Sequence, residues 1–240
     1  MADTQKEQQS QQPGPLGVWT APDGIGRVDL LGVFGDDLTV VNAARVSFAK
    51  ESTSMEKQDV RLVSYLAEHR HESPFFHPQA RFRICMPIFV AREWYRHTIG
   101  FARNEVSRRY VDSLPVCFVP QPEALRARDP KAKQGSKAEA VPDAEAWVER
   151  VRAAQEAAVA TYTELLEAGV APEVARGVLP QSMYTEFVET ASLAAYARLW
   201  SLRTSPDAQR EIQGYAQGLG ELLSVHFPVA WAALTEARQA

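Results

Sequence analysis

The stretch from Arg92 to Tyr110, REWYRHTIGFARNEVSRRY, constrains the fold more than any other part of the chain. Aromatic and aliphatic residues interleave its arginines, so the segment has to be at least partly buried while its cations stay accessible. The chain carries a formal net charge of −4, and this stretch contains no lysine. Guanidinium grips phosphate through two parallel hydrogen bonds, and the cluster therefore indicates a specific anion. An arginine-rich, solvated helix face is the alternative. The arginines are Arg92, Arg96, Arg103, Arg108 and Arg109.

Length and composition limit the possible classes of protein. A chain of 240 residues with 45% hydrophobic residues has enough apolar material for one large core. Residues 1–16 are rich in Gln, Ser and Pro and are predicted to be disordered, and residues 17–240 are predicted to form a single catalytic α+β domain. No apolar run has the length of a membrane span, and the hydrophilic N-terminus does not resemble a signal peptide. A cytoplasmic protein without a membrane partner is expected.

The cysteines and histidines predict no metal site. Cys85 and Cys117 lie in apolar, strand-like contexts and are interpreted as buried small residues rather than as a disulfide or a nucleophile. His71 and His77 are six residues apart with Pro74 between them, which excludes the one-turn spacing of a helical zinc pair. This segment is better explained as a rigid proline turn that presents polar side chains.

Local patterns predict the elements of the N-terminal half. A strand begins at Gly26, and a short helix begins at Asp36. Thr53 and Glu56 have capping-box spacing, which predicts a helix from there toward His69. The inner face of that helix is predicted to carry Val60, Val63 and either Leu66 or Ala67.

Further along the chain, the alternation in residues 80–86 predicts a strand that Pro87 ends. Residues 88–99 are predicted to be helical and to lead into the arginine stretch. Residues 126–141 are polar and predict a mobile surface loop.

Three helices are predicted in the C-terminal half. The first covers residues 143–168 and is closed by Gly169, and the second covers residues 181–202. The third begins with Ser205 as its N-cap and continues to about Val225. The whole pattern indicates an α+β fold, a mixed sheet with helices, in which the C-terminal half is helical.

Common phosphate-binding loops are missing from the sequence. It contains no GxxxxGK[ST] and no GxGxxG after a strand, so a nucleotide would be held by side chains and helix ends. Arg176 and Arg203 are lone arginines in apolar contexts and are candidates for this task. For both, a cap on helix carbonyls is the alternative.

Several ordered segments resemble the flavin-dependent thymidylate synthases. That family's signature is Arg-His-Arg, a spacer of seven or eight residues, Ser, and then Arg-Tyr. Here Arg96-His97-Thr98 is followed by eight residues, Ser107, and Arg108-Arg109-Tyr110. Flanking blocks are similar to family blocks in order and spacing, and the resemblance covers roughly residues 26–232. The blocks are residues 43–50, 71–77, 87–94, 174–180 and 202–216.

The resemblance implies that dTMP is formed from dUMP. The methylene group would come from 5,10-methylenetetrahydrofolate and the hydride from reduced FAD, with NADPH as the reductant. The family fold is an α+β domain that assembles as a homotetramer, with FAD and dUMP bound where subunits meet. No nucleic-acid partner is implied.

The resemblance also assigns roles to residues. Arg203 would stabilise negative charge on the uracil ring, which fits the electrostatics of a dry site. Ser107 would act beside it in catalysis as a ligand rather than as a nucleophile, because no general base lies close in sequence. The dUMP site would consist of Glu93, Arg92, Ser107, Arg108, Arg109, Arg203 and, from another subunit, Arg176. The FAD site would consist of Ser47, His71, Ser73, Arg96, His97, Thr98, Arg103, Glu105, Ser192 and Arg198.

The sequence departs from the family pattern at three places. Thr98 replaces the signature's second arginine, and we expect Arg103 to supply that charge to the flavin. Ser192 and Arg198 stand where the family often has asparagines.

The third departure is Glu93, which replaces the usual glutamine. A carboxylate near a phosphate needs a cationic partner, and we expect Arg92, Arg96 or Arg109 to provide it.

Two alternatives to a synthase remain at this stage. One is a non-catalytic module that binds RNA or single strands through arginines and stacking aromatics. The other is a flavoprotein of the same fold without synthase activity. The stacking residues of the first alternative would be Phe82, Trp94 and Tyr95, and its backbone contacts would include Arg81 and Arg83.

Overall fold

The computed structural model describes residues 14–111, 113–130 and 135–239. Most of the segment predicted to be disordered, residues 1–13, lies outside the described residues. Residues 14–16 are described and form no regular secondary structure.

A five-stranded antiparallel sheet forms the centre of the molecule, with strand order β1-β2-β3-β7-β4. A separate two-stranded hairpin is formed by β5 and β6. The strands are β1 (Gly17–Thr20), β2 (Arg27–Phe34), β3 (Gln79–Pro87), β4 (Phe101–Glu105), β5 (Arg126–Arg128), β6 (Ser136–Ala140) and β7 (Tyr184–Ser192).

Helices surround the sheet and supply most of the core. Helix α7 packs against β1 and β2, α6, α7 and α8 pack against one another, and α2 packs against α8. The helices are α1 (Asp37–Arg45), α2 (Lys57–Glu68), α3 (Ile88–Trp94), α4 (Ala144–Glu167), α5 (Pro172–Ala175), α6 (Leu193–Arg203), α7 (Arg210–His226) and α8 (Pro228–Gln239). Short 3-10 helices occur at Val46–Phe48, Ser73–Phe76, Pro122–Ala124 and Arg176–Val178. Among the described residues, none of the helices combines the length and apolarity needed to cross a membrane.

The α+β class predicted from the sequence is confirmed, and so are several local elements. The strand at residues 80–86 lies within β3, whose residues alternate between buried and more exposed. Asp36 caps α1 by accepting a hydrogen bond of 2.9 Å from the Thr39 amide. The helix predicted for residues 143–168 is α4, and Gly169 follows it with φ +82°, a conformation that glycine adopts without strain.

The helix predicted for residues 181–202 is wrong over its first half. Residues 184–192 form β7, and only residues 193–203 are helical, as α6. Strand β7 pairs with β3 along nine residues and with β4 on its other side. Strand-forming residues such as Thr185, Val188 and Thr190 and pairing on both sides fix this segment as a strand, and the prediction wrongly extended the α6 helix back through it.

Three smaller expectations also differ from the structure. The capping box predicted from Thr53 to Glu56 lies three residues further on, between Glu56 and Asp59. The Asp59 carboxylate accepts from the Glu56 amide, and α2 therefore begins at Lys57. Val60 is 40% exposed and lies off the inner face, whereas Val63, Leu66 and Ala67 are buried. The segment 126–141, predicted to be a mobile loop, contains the β5–β6 hairpin; residues 131–134 lie outside the described part of the chain.

The start of α7 was also predicted in the wrong place. Ser205 caps a short turn, in which the Ala208 amide donates to the Ser205 carbonyl at 2.9 Å. The Gln213 side chain donates to the carbonyls of Ser205 and Ala208 and holds this turn, so the helix begins only at Arg210.

Candidate active site

The arginine stretch is not one helix but three different pieces of backbone. Helix α3 carries Arg92 and Glu93 and ends at Trp94, well short of the helix predicted for residues 88–99. A loop leads into β4, and Gly100 in that loop has φ +83°; a Cβ there would lie 3.2 Å from the Ala195 Cβ. Residues 107–110 then form a turn. The change of direction explains how one segment both buries rings and exposes cations.

Arg203, the last residue of α6, binds the end of α3 and the loop after it. Its Nη1 donates to Oε2 of Glu93 at 3.1 Å, and its Nη2 donates to the Glu93 carbonyl at 3.0 Å. The prediction that Arg92, Arg96 or Arg109 pairs with Glu93 is therefore wrong. The partner is Arg203, which stands at the end of α6. The alternative role for Arg203, a cap on helix carbonyls, is present as well, since its Nη2 binds the Glu93 carbonyl near the end of α3.

His97 is the third group that holds Arg203. The Nε of Arg203 donates to Nε2 of His97 at 2.9 Å, so the imidazole is an acceptor at that nitrogen. Burial, assisted by the charges of Arg203, Arg103 and Arg198, lowers the pKa of His97 from 6.5 to about 4. His97 is therefore neutral near pH 7.

Arg103 lies behind this cluster in an almost buried ion pair. Its Nε donates to Oε2 of Glu189 at 2.8 Å, while Oε1 of Glu189 accepts from the Trp94 indole at 3.0 Å. Burial raises the pKa of Glu189, and the charge of Arg103 together with both hydrogen bonds opposes that rise. The guanidinium also lies over the rings of Tyr95, Phe101 and Phe187. Arg103 is expected to bind the flavin, but its guanidinium is already held inside the protein by this ion pair and by three aromatic rings.

A polar cavity of about 570 Å³ opens beside Arg203. Arg203 and Glu93 form part of its wall, and the β5–β6 hairpin and the start of α7 form the rest. Arg126 of the hairpin is bound to Glu211 of α7 at 3.0 Å, which ties these two walls together. The remaining lining residues are Gly135, Ser136 and Pro206 to Arg210.

Arg198, a predicted FAD residue, is bound to the turn that carries two others, His71 and Ser73. Its Nη1 pairs with Glu72 at 3.4 Å, between His71 and Ser73, and its Nη2 donates to the Ile99 carbonyl at 3.1 Å. Arg198 therefore joins the proline turn to the loop that follows α3.

The other predicted FAD residues are more scattered. Ser47 is exposed on the 3-10 helix after α1, and Thr98 is exposed on the loop. Ser192 is buried and its hydroxyl accepts from the Ala195 amide as the N-cap of α6. Glu105 accepts from the Thr185 hydroxyl at 2.6 Å.

The predicted dUMP residues fall into two groups in one chain. Arg203 and Glu93 line the 570 Å³ cavity, whereas Arg108 and Arg176 line a different cavity of about 300 Å³. Ser107 and Arg109 lie on the turn next to Arg108, and Nη1 of Arg108 donates to the Ser113 carbonyl. The two cavities have no lining residue in common.

Arg92 and Arg96 keep their guanidinium groups exposed. Within the described residues, neither side chain forms an ion pair or a hydrogen bond. These two cations are available to an external anion.

The cysteines do not provide a nucleophile. Cys85 and Cys117 are free and half-buried rather than fully buried. Burial raises the pKa of the Cys85 thiol to about 11 and also raises that of Cys117, so both stay protonated near pH 7. Across the described parts of the chain, no group of three or more His, Cys, Asp or Glu side chains could hold a metal ion.

Two of the three stacking platforms of the nucleic-acid alternative are unavailable, and the third, Tyr95, is half-buried and packs edge-on against Phe187. Phe82 and Trp94 are both 0% exposed, and Phe82 packs edge-on against Tyr196. A side chain without exposed surface cannot stack on a base.

The sequence did not identify two carboxylates that bind arginines of the site: Glu189, which pairs with Arg103, and Glu72, which pairs with Arg198. Glu189 was placed in a predicted helix, where it had no reason to be buried. Its position in the strand register, opposite Phe82 on β3 and Arg103 on β4, is what buries it.

Comparison with known proteins gives a consistent result. A family model described as "Thymidylate synthase complementing protein" matches residues 29–229. A flavin-dependent thymidylate synthase of Thermus thermophilus is 41% identical over 223 residues, which cover 93% of this chain and 80% of that protein. One of Thermotoga neapolitana is 41% identical over 203 residues, covering 85% of this chain and 88% of that protein. A crystal structure of the UMP/dUMP methylase PolB from Streptomyces cacaoi, bound with 5-Br dUMP, superposes with a TM-score of 0.79 at 33% identity and covers 88% of this chain and 95% of that one.

Proposed function

Because the chain belongs to the flavin-dependent thymidylate synthase family, we propose that it forms dTMP from dUMP. The methylene donor is 5,10-methylenetetrahydrofolate, and the reductant is NADPH. The observation that carries the proposal is the Arg203 guanidinium, which is held by Glu93 and His97 at the wall of a cavity large enough for a nucleotide. The cytoplasmic location stays a prediction.

Arg203 has the electrostatic role. Carbon 5 of uracil becomes nucleophilic only when negative charge is stabilised on the ring. A fixed guanidinium in a partly desolvated site provides that stabilisation at little reorganisation cost, since its orientation is set before the substrate arrives. Ser107, Arg108, Arg109 and Arg176 bind the phosphate and the pyrimidine. Arg92 is a further exposed cation for the same anion.

The donor set also suits FAD. A diphosphate needs cations and short donors; Arg96 supplies an uncommitted, exposed guanidinium, and Thr98, two residues later, supplies an exposed hydroxyl. The turn at His71 and Ser73 is fixed by Arg198 through Glu72. When bound, reduced FAD supplies the hydride for the reaction. Ser47, His97, Arg103, Glu105 and Ser192 complete the proposed set.

The protein acts as a homotetramer with shared sites. In one chain, Arg203 and Arg176 line separate cavities. A nucleotide that contacts both of these arginines is more easily accommodated when the second comes from another copy, which supports a site formed between subunits.

The first experiment is a direct assay. Purified protein should be yellow, and incubation with dUMP, NADPH and 5,10-methylenetetrahydrofolate should yield dTMP. A folded, flavin-loaded sample that forms no dTMP would refute the synthase and leave the inactive flavoprotein. A colourless protein that binds single strands in a strongly salt-dependent way would support the nucleic-acid module instead.

A further inference from the structure

We propose that Glu93 is a positioning residue, which orients Arg203 by hydrogen bonding to its guanidinium. The inference rests on the proposed function, because it concerns the arginine assigned to the uracil ring. Glu93 offers two acceptors to Arg203, its carboxylate Oε2 and its own carbonyl oxygen.

The contacts leave Arg203 little rotational freedom. Nη1 and Nη2 bind two atoms of Glu93 at 3.1 and 3.0 Å, and Nε binds His97 at 2.9 Å. Three separate nitrogens therefore have fixed partners, and a planar group held at three points cannot turn about its axis.

A count of donors shows what remains for a substrate. Guanidinium has five N–H groups, and these three contacts use one on each nitrogen. One N–H is left on Nη1 and one on Nη2. Because Arg203 and Glu93 both line the 570 Å³ cavity, these two are the donors that a ligand there can reach.

The ion pair contributes little to stability. The side chains of Arg203 and Glu93 are 20% and 30% exposed, and pairs that solvent reaches have small net energies. The carbonyl of Glu93 and the His97 ring would still hold Arg203 to α3 if the carboxylate were removed. The carboxylate is therefore the contact that sets the rotation of Nη1 rather than the docking of α6.

Hydrogen bonding, and not charge, is the property required at this position. An amide oxygen at residue 93 can accept the same bond from Nη1, so glutamine should preserve the orientation. Alanine removes this acceptor and leaves the guanidinium held only through Nε and Nη2, so that its plane can tilt about the line joining those two atoms and carry Nη1 out of position. Misorientation of a reacting group lowers turnover more than it lowers ground-state binding.

The test compares Glu93→Ala and Glu93→Gln with wild type and with a control, Glu186→Ala. Glu186 forms an exposed pair with Arg83 on the sheet, at 3.6 Å. Glu93→Ala should lower kcat by roughly tenfold or more, with KM for dUMP changed less than about threefold and flavin absorbance per chain unchanged. Glu93→Gln and Glu186→Ala should stay within about threefold of wild type in kcat.

A double-mutant cycle with Arg203→Ala completes the test. If Glu93 acts through Arg203, the double variant should be no slower than Arg203→Ala alone.

Four results would overturn the inference: an unchanged kcat in Glu93→Ala, an equal loss in Glu93→Gln, losses that multiply in the double variant, or a Glu93→Ala protein that does not fold. Wild-type protein that forms no dTMP would refute the proposed function instead, so the two failures are distinguishable.

Discussion

The Nε of Arg203 donates a hydrogen bond of 2.9 Å to Nε2 of His97, although 106 residues separate the two in sequence. The donor is always protonated, so the accepting nitrogen cannot carry a proton. The remaining proton of the neutral imidazole is therefore on Nδ1. Arg203 thus selects both the charge and the tautomer of a histidine in the family signature.

Replacement of Arg203 tests its proposed electrostatic role. Arg203→Ala should lower kcat by about 10²–10³, the size expected when one preorganised donor is lost. Flavin content per chain, read from absorbance, should change little. The control Arg152→Ala removes an exposed arginine of α4 and should leave both quantities unchanged. Equal losses of turnover and of FAD would show that Arg203 has been assigned to the wrong ligand.

The lowered pKa of His97 predicts a pH-dependent stability. Between pH 6.5 and about 4 the unfolded chain binds a proton at this residue and the folded chain does not. The protonation of His97 in the unfolded chain therefore lowers the free energy of unfolding as pH falls from 6.5 toward 4. Above pH 6.5 His97 is neutral in both states, and this loss is absent. NMR titration of the His97 ring should give a midpoint near 4, and His97→Asn should flatten this part of the stability profile. A midpoint near 6.5 would contradict the structure.

Glu189 and Glu186 lie on the same strand and make a matched pair for stability. Glu189→Gln leaves Arg103 with a neutral partner in a nearly buried site and should lower the free energy of unfolding by about 3–5 kcal/mol. Glu186→Gln breaks an exposed pair and should cost less than about 1 kcal/mol. Urea unfolding measures both, and similar values for the two would argue against a buried ion pair.

Arg103 was predicted to supply the charge that Thr98 lacks. If it does, Arg103→Ala should weaken FAD binding by roughly ten- to a hundredfold, the worth of one charge-assisted contact. Because that variant also loses the Glu189 pair, Glu189→Gln is the control: it is destabilised but keeps the cation and should keep its FAD affinity. Normal FAD affinity in Arg103→Ala would leave Arg103 with a purely structural role.

Arg109 is proposed to hold the dUMP phosphate. Its Cζ atom lies 5.0 Å from the centre of the Tyr110 ring. Arg109→Ala should raise the dUMP dissociation constant by roughly ten- to a hundredfold. Arg150 stacks on Trp147 at 5.1 Å in the same manner, and Arg150→Ala is therefore the matched control. Calorimetry with dUMP checks both, and an unchanged constant in Arg109→Ala would remove that residue from the site.

Elements with strong local signals were predicted well. Helix α4 has a long helical pattern with Gly169 behind it, and α1 has an N-cap in Asp36. The strand signal of β7 was missed because α6 follows it directly, with no turn residue to mark the boundary. Its strand conformation comes from pairing with β3, which is about a hundred residues away in sequence.

The sequence by itself determined the chemistry that is available: a cluster of guanidinium groups, no reactive thiol, and the ordered blocks that identify the family. Only the tertiary structure decided which arginine meets which carboxylate. Arg203 reaches Glu93 because the last residue of α6 lies beside the C-terminal end of α3, and Arg103 reaches Glu189 because β4 and β7 are neighbours. Composition and spacing along the chain are local properties, whereas ion-pair partners depend on how distant elements pack, and that is set by burial of the core.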